Sequence, residues 1–171
     1  EALSAELGLP LRLSILDARP GQPVLRCGRY SVFWQSGGGL YVPPALEPSE
    51  LRLEAVLAAY GMAVAADRPD LVIVDNEAGS VAAIVEVKYL AGDTTSARFR
   101  EAAGQIVRYG RGYCGEAELP SLIRRSLIAL SREVPSLIDD TADAPRAVDF
   151  EGILDGRLNL WVRERLCASA H

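Results

Sequence analysis

Histidine is nearly missing from this chain of 171 residues: the one copy is His171, at the terminus, where a disordered tail or tag remnant fits better than a catalytic role. Ser-His-Asp triads, histidine general bases and histidine zinc sites therefore have no imidazole in the body of the chain. Cysteine is scarce too. Cys27, Cys114 and Cys167 are far apart and odd in number, which fits the reduced thiols of a cytoplasmic protein and not a disulfide framework. No run approaches the ~18 consecutive apolar residues of a membrane span, and the N-terminus lacks the charged-then-apolar layout of a signal peptide, so no membrane partner is expected. The chain opens on Glu1 and has Met62 as its sole methionine, which reads as a domain cut from something longer.

What is present is an ordinary globular composition, 49% apolar, enough for one domain with its own core. Chemistry concentrates between Arg68 and Tyr113. Pro69-Asp70 heads an apolar run, Leu71 to Val74, and a second run, Val81 to Val85, leads into Glu86-Val87-Lys88. Asp75 to Ser80 between them supplies the residues a tight hairpin loop wants. Asp70 and Glu86 can then face each other across a strand pair. Period two puts Glu86 and Lys88 on one face and sends Val87 the other way, into a core. Two carboxylates and an ammonium converging on one spot suit a hard divalent cation, which prefers oxygen ligands, and the hydrolysis of a phosphodiester.

Pro69-Asp70, fifteen intervening residues and Glu86-x-Lys88 resemble the PD-(D/E)xK nuclease superfamily. Gln105-x-x-x-Tyr109, four apart and so on one face of the next helix, resembles the extra motif of the helicase-associated exonuclease branch. The resemblance implies an α/β fold, restriction-endonuclease-like, with a mixed central sheet flanked by helices and an N-terminal antiparallel β addition. Residues 1–47 would be the β-hairpin extension and 48–171 the nuclease core. It implies a metal-dependent deoxyribonuclease using Mg²⁺ or Mn²⁺, within a larger defence, restriction or repair protein. Asp70 and Glu86 would be metal ligands, with the Val87 carbonyl a third. Lys88 would position or activate the water, and Gln105 and Tyr109 would support Lys88 or hold the phosphate. Some exonucleases of this superfamily hold an iron–sulfur cluster with four cysteines, which three cannot build. The other reading keeps the fold without the activity, a module that binds nucleic acid or assembles a larger complex.

The rest of the chain arranges itself around this stretch. Residues 11–42 read as β structure, Leu11 to Leu16 and then Val24 to Gln35, with Gly37-Gly38-Gly39 as a turn. This hairpin is either a plain addition or a DNA-facing wing with Arg26 and Arg29 on phosphates. A helix is expected from Ser49 to Tyr60, where Glu54 is either the glutamate that related families place near the metal through water or a solvated helix charge. The helix after Lys88 is expected over Thr95–Tyr113. From Thr95 to Arg125 six arginines, Arg98, Arg100, Arg108, Arg111, Arg124 and Arg125, stand against three glutamates, in a chain whose net charge is −5. A basic stretch beside the site is what phosphate contact needs, although a solvated helix face reads the same. DNA, other domains of a longer chain and a second copy in a homodimer are the partners to expect.

Gly110-Arg111-Gly112-Tyr113-Cys114-Gly115 matches the dinucleotide pattern G-x-G-x-x-G, but a helix precedes it where a strand is required, so its glycines are expected to end that helix. Ser126 to Ser131 reads as a core strand, with a helix from Ser121 the alternative. From Glu133 to Asp155 seven acids stand against Arg146, a part expected to face away from nucleic acid. Leu158 to Arg163 alternates like a closing strand after an Asp155-Gly156 turn.

Overall fold

The computed structural model describes residues 8, 11–13, 22–34, 59, 68–90, 95–132 and 143–167. Seven strands follow one another in chain order across one sheet: β1 (Leu11–Leu13), β2 (Leu25–Cys27), β3 (Tyr30–Trp34), β4 (Leu71–Asp75), β5 (Ser80–Lys88), β6 (Leu127–Leu130) and β7 (Arg146–Asp149). β1 to β5 pair antiparallel, whereas β5–β6 and β6–β7 pair parallel. The change of direction follows from the connections. Helices α1 (Thr95–Tyr113) and α2 (Leu119–Arg125) carry the chain from the end of β5 back to the start of β6, a crossover that only a parallel pair needs. The fold is thus α/β with a mixed sheet, and the N-terminal strands belong to that same sheet through the β3–β4 pairing.

The β4–β5 hairpin is local chemistry. Asp75 Oδ1 accepts the backbone N–H groups of Glu77 at 3.0 Å and Ala78 at 3.2 Å, and Gly79 takes the left-handed φ of +63° that the turn requires. Strands β3 to β7 then feed two cores, one per face. Tyr30, Val32, Ile73 and Val85 pack with Trp161, Val162 and Leu166, while Phe33, Val72, Ile84, Ile128 and Leu130 pack with Ala102, Ile106, Tyr109 and Leu122. Fully burying one such aliphatic side chain stabilises by roughly 1.5–3 kcal/mol, so both faces hold the sheet against its helices. Gly110 lets α2 approach α1: a Cβ there would lie 2.5 Å from Leu119 Cδ1.

Several expectations change. Leu158 to Arg163 is not a strand: after α3 (Phe150–Leu154), helix α4 (Arg157–Trp161) runs into a π-helical turn, Val162–Cys167. Trp161, Val162 and Leu166 are buried at helical spacing, and that burial outweighs the alternation of Leu158, Leu160 and Val162. Asp155-Gly156 links α3 to α4, with Gly156 at φ +92°. The closing strand is instead β7, in the acidic part. Gly110 and Gly112 lie inside α1 and do not end it. Val24 to Gln35 is broken at Gly28, φ +55°, which turns β2 into β3. Ser126–Ser131 resolves into β6, with helix α2 ahead of it. The expected helix at 49–60, Glu54 included, lies outside the described residues apart from Ala59, which is helical, and so does the glycine turn at 37–39. No helix among the described residues is long and apolar enough to cross a membrane.

Candidate active site

The antiparallel register Leu71↔Val85 carries one step further to set Asp70 opposite Glu86. Hydrogen bonds lock that step. The Val87 N–H donates to Asp70 Oδ2 at 2.7 Å, and the Asp70 N–H donates to Glu86 Oε1 at 3.3 Å. Lys88 Nζ lies 3.1 Å from Glu86 Oε2, so each oxygen of Glu86 has a donor. Because Ile84 belongs to the core under α1, Glu86 and Lys88, two and four residues on, project toward that same helix. Ser131 steadies the strand end: its N–H donates to the Lys88 carbonyl at 3.1 Å, and its Oγ accepts the Leu90 N–H at 2.8 Å. A lone serine at a strand terminus carries no sequence signal for that role.

Glu86 is 2% exposed. Burial pushes its carboxyl above the ordinary glutamate value; the Lys88 ammonium opposes this, and the Asp70 charge adds to it. Val87 corrects an expectation. The residue is 39% exposed and not in a core, because the cluster on that face takes in Val85 and stops short of the strand end.

Gln105 and Tyr109 sit on α1, which packs on β5, with Tyr109 fully buried among Val72, Ile84 and Ile128. Gln105 is half-buried, and its Oε1 is a buried acceptor without a hydrogen-bond partner. Such an orphan is uncommon and marks a place where a donor or ion is wanted. The basic residues of α1 are largely engaged. Arg98 bridges to Glu101 at 2.7 Å, Arg111 to Glu116 at 3.6 Å, Arg100 Nε donates to the Ser96 carbonyl at 3.3 Å, and the Arg108 guanidinium stands 5.7 Å from the Tyr109 ring centroid. Exposed pairs of this kind contribute little, roughly 0–1 kcal/mol, so a phosphate could displace either glutamate. Arg29 departs from the wing reading: Asp75 binds it through both oxygens and Glu77 lies 3.2 Å away, so it is committed within the protein. Arg26 remains exposed.

The donor set fits a hard cation. Asp70 and Glu86 bring carboxylate oxygens from adjacent strands, and the burial that raises the Glu86 carboxyl is relieved by a neighbouring positive charge. Among the described residues no three His, Cys, Asp or Glu side chains cluster, so a third ligand from these residues would be the Val87 carbonyl, with water completing the shell. Comparison finds no family model, no curated protein and no solved structure that matches the chain.

Proposed function

We propose that the chain is a metal-dependent deoxyribonuclease domain that hydrolyses DNA phosphodiester bonds. The observation that carries this is the closed constellation of Asp70 and Glu86, hydrogen-bonded across β4 and β5, with the Lys88 ammonium on Glu86. Its residues match the PD-(D/E)xK pattern without substitution. When bound, Mg²⁺ or Mn²⁺ supplies a Lewis acid for the phosphoryl oxygen and lowers the pKa of a coordinated water. Asp70 and Glu86 would hold that ion. Lys88 would orient the attacking water, or offset the negative charge that builds on the phosphoryl group. Gln105 can turn its amide toward the phosphate or Lys88 from α1, and Tyr109 fixes that helix against the sheet.

A second reading has an observation of its own. The Glu86 carboxylate is satisfied from inside the chain, which also suits a nuclease-like module that binds nucleic acid or assembles a complex without cutting. Incubating linear, circular and single-stranded DNA with the chain in Mg²⁺, Mn²⁺ or EDTA separates the two. Metal-dependent cutting that Asp70→Ala and Lys88→Ala both abolish, with folding intact, supports the nuclease. DNA binding without any cutting by the unmutated chain would favour the silent module.

A further inference from the structure

The hairpin end of β4 and β5, opposite the end that carries Asp70 and Glu86, holds a pocket of ≈ 150 Å³ between the sheet and the C-terminal π-helical turn, with Arg29, Tyr30, Asp75, Ser80, Arg125 and Leu166 in its lining. Its charges are unequal in what they have left to give. Arg29 is spent on Asp75 and Glu77, and Asp75 is spent on Arg29 and two backbone N–H groups. Arg125 differs. Its Nε donates to the Ala82 carbonyl at 2.8 Å and its Nη1 to Ser121 Oγ at 3.2 Å, both neutral acceptors, and no carboxylate of the described residues pairs with it. A half-buried guanidinium usually has an anion; this one lines the pocket, and neither of its two side-chain hydrogen bonds uses Nη2.

We infer that this pocket binds a phosphate group, gripped by Arg125. Guanidinium presents paired donors that match a tetrahedral oxyanion, and Ser80 adds a hydroxyl at the rim. The volume selects the size. It falls below the roughly 300–1,000 Å³ of pockets that enclose drug-sized ligands, so the pocket takes the anionic head and leaves any attached nucleoside outside. Free phosphate and a nucleotide's terminal phosphate share this chemistry. The site does not depend on whether the chain cuts DNA.

Calorimetric titration of the full chain with inorganic phosphate, at constant ionic strength against chloride, tests it. Saturable binding at one site per chain is expected, weakened at least tenfold by Arg125→Gln. Since that variant also loses the bonds to Ala82 and Ser121, Ser80→Glu provides a second route: it adds repulsion at the rim, leaves those bonds alone and should weaken binding comparably. Arg124→Gln, exposed and outside the lining, should stay within twofold of the unmutated chain. Tighter binding of dAMP than of phosphate would assign the group to a nucleotide, and equal binding to free phosphate. Absence of saturable binding, indifference to both Arg125→Gln and Ser80→Glu, or an equal loss in Arg124→Gln would overturn the inference.

Discussion

Replacing Lys88 with methionine keeps much of the side-chain volume and removes the ammonium 3.1 Å from Glu86 Oε2. Breaking a fully buried ion pair costs about 3–5 kcal/mol. Here the Lys88 side chain is 17% exposed and the Asp70 N–H stays on Glu86 Oε1, so the cost at pH 8 should be lower, about 1–3 kcal/mol by that scale. For a chain of this size that corresponds to a Tm lower by roughly 2–12 °C. The pH dependence is the sharper part. Glu86 has a raised carboxyl in the folded state, so the stability it allows is fully present below its unfolded value, about 4.3, and is lost as pH rises through the folded one. Without Lys88 the folded value moves higher still, and the penalty for ionising Glu86 grows. Thermal unfolding followed by near-UV circular dichroism in EDTA should therefore give a gap between the two proteins that is small at pH 4.5 and widens toward pH 8. Adding Glu86→Gln to Lys88→Met should close most of the gap at pH 8, because position 86 then carries no charge to bury. A gap equal at both pH values, or a double variant no better than the single one, would refute the pairing as described.

Other perturbations address other parts. Asp75→Asn should release Arg29. Burial pushes the Asp75 carboxyl up, yet hydrogen bonds from Arg29, Ala78 and Glu77 outweigh it and hold the carboxyl below its ordinary value. Its contribution is present above about pH 3.9 and lost as pH falls through the depressed folded value, so acid titration should show unmutated chain and variant converging only below that pH. Gly104→Ala, with nothing within 4 Å of the new Cβ, should stabilise by about 0.5–1 kcal/mol. Gly110→Ala must shift the Leu119 Cδ1 methyl and should come out lower than Gly104→Ala in urea unfolding, by about 1 kcal/mol. Trp161→Phe removes the indole N–H that reaches the Arg125 carbonyl at 3.1 Å and should cost about 1–3 kcal/mol in the same assay.

The parts legible in the sequence were those set by local chemistry. The β4–β5 pair, its Asp75 turn and α1 over Thr95–Tyr113 follow from period and turn residues, and the register that sets Asp70 beside Glu86 comes with them. Whatever depended on tertiary partners was hidden. Leu158 to Val162 satisfies a strand pattern and a helix pattern at once, and only the sheet face receiving Trp161 and Leu166 decides between them. β7 is short and carries charge at both ends, Arg146 bridged to Glu164 and Asp149 capping α3 through the Gly152 N–H, partners that charge counting along the chain does not reveal. Gly110 looked like a helix end because its reason lies across space, in Leu119. Val87 alternates correctly, but nothing in its own strand says where the opposite core stops.

In the proposed nuclease site Asp70 and Glu86 would hold one divalent ion between them. Mn²⁺ titration of the purified chain by calorimetry, beside Asp70→Asn and Glu86→Gln, tests this. One saturable site per chain is expected, weakened at least tenfold by each variant, with Mg²⁺ competing for it. Mn²⁺ binding unchanged in both variants, or no binding by the unmutated chain, would contradict it.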